Sequence, residues 1–142
     1  MRLSDSEARR RAERADHGTL GTIGADGTPD LVPTCFAIDG DDLGVPIDEI
    51  KPKSSTDLQR RRNLDRDPRA TLLVERWDPA DWSRLWWVRL RLERTLATPS
   101  TVEHLAALLR RRYRQYAAAP FAEILTFRIT AAAGWEGRRG SA

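Results

Sequence analysis

The sequence predicts an α+β fold in which about six, mostly antiparallel strands form a barrel or strongly curled sheet, with three helices inserted between them. Three observations support this fold. Stretches with strand character recur along the chain and are separated by short turns rich in glycine, aspartate or proline. Helical patterns occur at only three places, each bounded by a capping residue or a proline. Strands joined by short turns indicate hairpins rather than a parallel doubly wound sheet.

The first helix is expected to follow Ser4, because Glu7 lies three residues later in the spacing of a capping box. Ala8, Ala12 and Ala15 then fall on one face of the helix, whose other face carries arginines and acids. This helix should therefore lie on a surface with its small residues facing inward.

From Gly18 the pattern changes to three short strands, GTLGTIG, DLVPTCFAI and LGVPI, joined by turns at ADGTP and DGDD. Pro33 and Pro46 lie within the second and third of these strands. Because proline has no N–H to donate to a neighbouring strand, both stretches are predicted at an edge or a bulge. Backbone groups at such places are free to face a ligand.

A second helix is predicted through TDLQRRRNLDRD, with Ser54 or Ser55 as its N-cap and Pro68 ending it. RATLLVERW and RLWWVRLRLERTLA predict the fourth and fifth strands. On the fifth strand, apolar positions from Trp86 to Leu92 alternate with polar ones, so one face should point to the core.

The longest helix is predicted to open with a capping box at Ser100 and Glu103 and to end at Pro120. Its apolar stripe has helical spacing and is typical of a core-facing side. The stripe comprises Val102, Leu105, Leu109, Tyr113 and Tyr116. EILTFRIT predicts the sixth strand.

Length and composition favour one soluble globular domain covering residues 1–142, since 40% of the chain is hydrophobic and 32% is charged. No apolar run approaches the roughly 20 residues that cross a membrane. The N-terminus lacks the apolar stretch of a signal peptide, and the lone Cys35 fits a cytoplasmic location. His17 and His104 are the only histidines, so no metal site is predicted.

The basic character of the chain is weak support for nucleic-acid binding. The net charge is only +3, and the high pI of 9.6 arises because guanidinium groups keep their protons to very high pH. The arginines of QRRR and RRRYR are interrupted by acids or lie on an amphipathic helix. They are more typical of a solvated face than of a phosphate-binding stripe.

The loop DEIKPKSS contains the only two lysines in a chain with 22 arginines. It lies between a strand and a helix, where free N–H groups, serine hydroxyls and mobile ammonium groups together suit a phosphate. The candidate anion ligands are Lys51, Lys53, Ser54, Ser55, Arg60 and Arg61. A solvated basic loop is the alternative. No glycine-rich fingerprint indicates ordinary ATP or NAD binding.

Several stretches together resemble the pyridoxamine 5′-phosphate oxidase-like split β-barrel family. They are TLGTIGADGTPDLVPTCFAIDGDDLGVPID, the basic loop, RRNLDRDPRATLLVE and DWSRLWWVRL. The similarity extends from about residue 5 to about residue 135. It is closest to the actinobacterial branch that uses the deazaflavin coenzyme F420 in place of FMN.

This resemblance implies a split β-barrel of the FMN-binding type and a homodimer with two cofactor clefts at the subunit interface. The ring would lie against the second and third strands, at Val32, Pro33, Thr34, Cys35, Pro46, Ile47 and Asp48. The phosphate would meet Lys51, Lys53, Ser54 and Ser55, with Arg60 or Arg61 in reach. Trp86, Trp87 and Arg89 match a strand that faces the partner subunit.

The function that the resemblance implies is an F420-dependent oxidoreductase acting on a small organic molecule. The cofactor would carry out hydride transfer, while the protein supplies orientation and excludes water. Two alternatives keep the fold: an FMN-dependent oxidase or flavin reductase, and a cofactor-binding protein without turnover. No side chain is identified as catalytic, since Cys35 has no histidine near it in sequence to act as a base.

Overall fold

Seven strands form a single antiparallel sheet, and three helices accompany it. The computed structural model describes residues 1–48, 55–117 and 121–137. The helices are α1 (Asp5–Arg14), α2 (Ser55–Arg66) and α3 (Pro99–Arg112). The strands are β1 (Gly18–Ile23), β2 (Pro29–Thr34), β3 (Ala37–Asp39), β4 (Asp42–Asp48), β5 (Arg69–Arg76), β6 (Trp86–Thr95) and β7 (Phe121–Glu136).

The sheet is strongly curled, as its connectivity requires. Its strand order is β2-β1-β5-β6-β7-β4-β3, so β2 and β3 are the two edges. Seven strands laid flat would separate the edges by about 29 Å, at roughly 4.8 Å per strand. Only Cys35 and Phe36 connect β2 to β3, and so short a link spans at most about 11 Å. The sheet therefore bends until its edges approach each other, which gives the split β-barrel expected from the sequence.

The strand count corrects one sequence prediction. DLVPTCFAI was expected to form one strand, but it forms two strands on opposite edges, separated at Cys35 and Phe36. The pattern of apolar residues alone does not reveal such a break, because both halves keep a strand-like composition.

The core lies inside the curl and is built from alternating positions of the central strands. Val88, Leu90 and Leu92 of β6 are buried, whereas the intervening Arg89 and Arg91 are exposed. This alternation confirms the face assignment made for the fifth predicted strand. On β7 the inward positions are Leu125, Phe127 and Ile129, which are also buried as expected.

Both prolines lie on stretches of strand that pair with a neighbouring strand on one side only. Pro33 is on β2, an edge strand. Pro46 is on β4, which pairs with β3 only as far as Gly44. From Val45 to Asp48, β4 therefore pairs with β7 on one side, and no described strand pairs with its other side. This agrees with the prediction that these prolines lie at an edge or a bulge.

Helix α1 begins as predicted, but α3 does not. The Ser4 hydroxyl accepts a hydrogen bond from the Glu7 backbone N–H at 3.2 Å, and Ala8 and Ala12 are buried. Helix α3 is capped by Thr98, which accepts from the backbone N–H of Thr101, with proline at the first helical position. The capping box predicted two residues later, at Ser100 and Glu103, is wrong because proline suits the first turn of a helix.

Helix α3 is also shorter than expected. It ends at Arg112, and Tyr113 forms its C-cap. Tyr116 lies in a separate 3₁₀ turn, Arg114–Tyr116, yet it is still buried. Pro120, the predicted stop, lies outside the described residues.

Helix α2 ends at Arg66, before Pro68, as predicted. The Asp67 carboxylate accepts three hydrogen bonds from Arg69, from its backbone N, Nε and Nη2. These bonds lower the pKa of Asp67 to about 2, so the turn from α2 into β5 keeps its ion pair at neutral pH. Among the described residues, no helix combines the length and apolar character that crossing a membrane requires.

Candidate functional site

Helix α2 is held against the first hairpin by a fully buried asparagine. The Asn63 Nδ2 donates to Thr22 Oγ1 at 3.0 Å and to the Asp30 carboxylate at 2.7 Å. Its Oδ1 accepts from Gln59 Nε2 at 2.9 Å. Because both donor hydrogens and the acceptor are used, this side chain fixes the position of α2 against β1 and β2.

A second contact brings α2 to the end of β2. Arg60 is only 7% exposed, and its Nη1 donates to Thr34 Oγ1 at 3.4 Å. The Thr34 hydroxyl in turn donates to the Cys35 carbonyl at 3.0 Å. Three residues assigned to the cofactor site from the sequence, Thr34, Cys35 and Arg60, therefore do lie together.

On its other side, α2 is tied to β7 through charge pairs. Arg61 forms an ion pair with Glu123, and Arg94 of β6 lies 3.9 Å from the same carboxylate. Arg94 also pairs with Asp65, further along α2. Arg61 therefore serves to anchor the helix, whatever else it contacts.

The ion pair between Arg61 and Glu123 links α2 to the part of β7 that pairs with β4. Glu123 lies opposite Ile47 in the register of β7 and β4, and Pro46 and Ile47 are buried. The register then shifts between Ile47 and Asp48, which is a bulge. Along this stretch, β4 is not covered by β3.

The connection from β2 to β3 is held by the C-cap of α3. The Tyr113 hydroxyl accepts from the Phe36 N–H at 3.2 Å and donates to the Phe36 carbonyl at 3.1 Å. Burial raises the pKa of Tyr113, so the hydroxyl keeps the proton that this bond requires. Cys35 is half-buried and packs near Leu109, which agrees with a structural role for it.

The central residues of the predicted phosphate site cannot be placed. Lys51, Lys53 and Ser54 lie outside the described residues. Ser55 is the first residue of α2, and Asp48 is the last of β4, so the loop connects the free edge of β4 to the helix start. The side chains of Asp48 and Ser55 are likewise not described.

The predicted ring contacts on β2 and the β6 residues are more dispersed. Val32 is half-buried and Pro33 is exposed, both on the edge strand. Trp86 and Trp87 pair with Glu136 and Trp135 at the far end of β7 from Glu123. The β6 residues are therefore not brought to α2 within one chain.

The outward-facing side of the sheet carries a groove of about 580 Å³. Leu31 is 70% exposed beside Gly21, and Thr71 and Arg91 continue the groove across β5 and β6. Further along this face, the Arg89 guanidinium lies 5.6 Å above the Trp87 ring. Together these residues form the outer face, an exposed surface with both leucine and arginine side chains.

Sequence reasoning missed Glu123 and the contact of Asn63. Glu123 shares the inward-facing positions of β7 with Leu125 and Phe127, so an acid in that register was a detectable anomaly. Asn63 holds helix α2 to the first hairpin, a long-range contact that no local sequence pattern indicates. Among the described residues, no group of three or more His, Cys, Asp or Glu is placed to hold a metal ion.

Comparisons with known proteins agree on the fold. The sequence model described as pyridoxamine 5′-phosphate oxidase matches residues 4–136. A conserved hypothetical protein from Mycobacterium tuberculosis is 22% identical, with a TM-score of 0.73 over 99% of this chain and 92% of that one. No curated protein matches the sequence.

Two other solved structures carry names that mention a cofactor. One, described as an F420 reductase, is 26% identical, with a TM-score of 0.55 over 84% of this chain and 90% of that one. The other, a FAD-binding protein from Mesorhizobium loti, is 16% identical, with a TM-score of 0.62 over 94% and 93% of the two chains.

Proposed function

The chain belongs to the pyridoxamine 5′-phosphate oxidase family, and on that basis we propose that it is an oxidoreductase that binds coenzyme F420 and transfers hydride between it and a small organic molecule. The observation that carries the proposal is the placement of α2. Its start follows the two lysines, and its buried Arg60 lies beside Thr34 at the end of β2.

This arrangement suits a cofactor with a flat ring and an anionic tail. Lys51, Lys53 and the start of α2 would hold the phosphate, because ammonium groups and the free N–H groups of a helix start both suit an anion. The ring would lie along β2 and the uncovered edge of β4, where Pro46 and Ile47 are buried and exclude water. When bound, the deazaflavin supplies the hydride chemistry, and the chain orients it.

The choice of F420 over FMN draws support from the F420 reductase, which is 26% identical to this chain. FMN is the second candidate, because the FAD-binding protein from Mesorhizobium loti shows that a flavin cofactor occurs on this fold. A yellow protein purified from a host without F420 would favour FMN. A protein that binds F420 but leaves a broad acceptor panel unchanged would favour binding without turnover.

We also propose that two copies associate through the outer face and that each completes the other's cleft. Leu31, Leu73 and Trp135 are 70%, 36% and 40% exposed on this face, and exposed apolar patches of this kind mark contact surfaces. Trp87 and Arg89 lie on the same side of the sheet. In a two-fold dimer they would approach the partner's cofactor, which accounts for their distance from α2 within one chain.

The test of the cofactor site is a calorimetric titration with F420 and with FMN. We expect F420 to bind more tightly, and the double change Lys51→Ala/Lys53→Ala to weaken its binding at least tenfold. Hydrogen bonds to charged groups contribute about 1.5–3 kcal/mol each, and 1.4 kcal/mol is tenfold.

The matched control is Arg111→Ala/Arg128→Ala, which removes two exposed positive charges from α3 and β7. It should leave the affinity unchanged. Equal affinity of the lysine variant and the parent protein, with both folded by circular dichroism, would overturn the phosphate assignment.

A further inference from the structure

At one end of the barrel, the inward-facing positions of three strands change from apolar to charged and aromatic residues. Val74, Val88 and Gly134 are buried neighbours on β5, β6 and β7. Two residues further on, and hence on the same face, the register aligns Arg76, Trp86 and Glu136. The apolar core therefore ends in a row that carries charge and an aromatic ring, at the mouth of the barrel.

A basin of about 390 Å³ opens over this row. Helix α1 contributes Arg11 to it, and the 3₁₀ turn Trp82–Arg84 contributes Ser83 and Arg84. Three guanidinium groups and one carboxylate thus line the mouth basin, which we define as Arg11, Arg76, Ser83, Arg84, Trp86 and Glu136.

Arg11, one of the three arginines, is already ion-paired with acidic side chains at the basin. The Arg11 Nη2 contacts Glu136 at 2.7 Å, and its Nε contacts Glu7 at 3.0 Å. The same guanidinium lies 5.4 Å from the Trp86 ring centroid. Arg11 and Glu136 therefore neutralise each other and hold the Trp86 ring in place.

The other two arginines keep donors for a ligand. The described part of the chain gives Arg76 no ion-pair partner, and its side chain is exposed. Arg84 approaches Asp81 and Asp78 only at 3.5 and 3.9 Å, beyond the roughly 2.7–2.9 Å of a charge-assisted hydrogen bond.

The carboxylates of Asp78 and Asp81 also accept hydrogen bonds within the loop that leads to β6. Asp78 accepts from the backbone N–H of Ala80 at 3.0 Å, and Asp81 accepts from the Ser83 N–H at 3.0 Å and from its hydroxyl at 2.6 Å. The acids thus shape the loop, and the Arg84 fork is left facing the basin.

We propose that the mouth basin binds a small molecule bearing a carboxylate or phosphate group, with the anion held by Arg76 and Arg84 and its apolar part against Trp86. The planar guanidinium fork matches both anions, and ligand sites recur in the mouths of β-barrels. The basin lies at the Glu136 end of β7, whereas Glu123 and α2 lie near the other end. Within one chain it is therefore a second site, separate from the proposed cofactor site.

Fluorine NMR of protein labelled with 5-fluorotryptophan tests the proposal directly, because the chain has only five tryptophans. A Trp86→Phe variant assigns the Trp86 signal. Citrate and inorganic phosphate are titrated separately at constant ionic strength. We expect a saturable shift of the Trp86 signal with at least one of them, and the tighter of the two identifies the anion class.

The variant Arg76→Gln/Arg84→Gln should weaken this binding at least tenfold. The matched variant Arg111→Gln/Arg128→Gln removes the same charge elsewhere and should leave it unchanged, as should Lys51→Ala/Lys53→Ala. A shift that does not saturate, or that survives the loss of Arg76 and Arg84, would overturn the proposal. Either result leaves the cofactor titration unaffected, so the two proposals fail separately.

Discussion

Among single residues, Asn63 contributes most to holding α2 in place at the candidate site. It is completely buried, and its amide group donates hydrogen bonds to both Thr22 and Asp30. A buried polar group contributes little when it is satisfied but costs much when one partner is removed. The position of α2, and with it that of Arg60, therefore depends strongly on this amide.

Changing Asn63 to Asp should therefore destabilise the protein by about 3 kcal/mol or more at pH 7. The variant keeps the shape of the side chain but replaces a donor by a carboxylate oxygen that faces the Asp30 carboxylate. The destabilisation should shrink as the pH approaches about 4, since protonation of the introduced carboxyl restores a donor. Urea unfolding at several pH values measures this dependence.

Gln115→Glu provides the matched control, because it makes the same amide-to-acid change at an exposed position in the 3₁₀ turn Arg114–Tyr116, away from Asn63. We expect it to alter stability by less than about 0.5 kcal/mol. Equal destabilisation by the two changes would show that the network around Asn63 does not hold the helix.

At the scale of elements, the N-terminal segment closes the barrel against the end of β7. The Leu3 N–H donates to the Gly134 carbonyl at 2.9 Å, and the Glu136 N–H donates to the Met1 carbonyl at 2.9 Å. A Cβ on Gly134 would lie 2.9 Å from both Leu3 Cδ1 and the Trp87 carbonyl oxygen. Glycine is needed here because the segment approaches β7 so closely.

Gly134→Ala should destabilise the protein by about 1–3 kcal/mol, the usual cost of overpacking. Because one of the two close contacts is with Leu3, the change Leu3→Ala should relieve part of the strain. We expect the double variant to be less destabilised than the sum of the single variants, as measured by urea unfolding. Strict additivity would show that the methyl group does not press on Leu3.

The elements that were predictable are those whose cause is local. Ser4 and Glu7 specify the start of α1, and Pro68 stops α2, because these effects act within one turn. The break at Cys35 was not predictable, since it depends on how far the sheet curls. The start of α3 was predictable in principle, because Thr98 followed by proline is itself a helix-start pattern.

At the scale of the whole molecule, the sequence predicted the split barrel but not the internal geometry of the site. Thr34 and Arg60 were both candidates, and the fold does join them. Trp86, Trp87 and Arg89 were candidates too, yet they lie on β6 opposite the end of β7 that is far from Glu123. No local pattern encodes this separation, because it arises from the sheet order and the length of β7.

In the proposed dimer, the Trp87 and Arg89 of one chain would lie near α2 of the other. Substitutions on the outer face test this arrangement. Leu31 is 70% exposed on β2 and borders the groove that crosses β1, β5 and β6. Burying such a side chain against a partner contributes roughly 1.5–3 kcal/mol, and two-fold symmetry would count it twice. A charge at this position should therefore weaken a dimer strongly.

Leu31→Glu is expected to convert the dimer into a monomer of about the chain mass, 16.1 kDa, in analytical ultracentrifugation. It should also lower the affinity for F420, because each cleft would lose the partner's Trp87 and Arg89. Leu96→Glu is the control: Leu96 is 99% exposed in the β6–α3 connection, away from the groove, and its change should affect neither measurement. A parent protein that sediments as a monomer, or a Leu31→Glu variant that remains a dimer, would exclude the outer face as the interface. If Leu31→Glu became monomeric yet kept full affinity for F420, one chain would hold the cofactor alone, and the β6 residues would need another role.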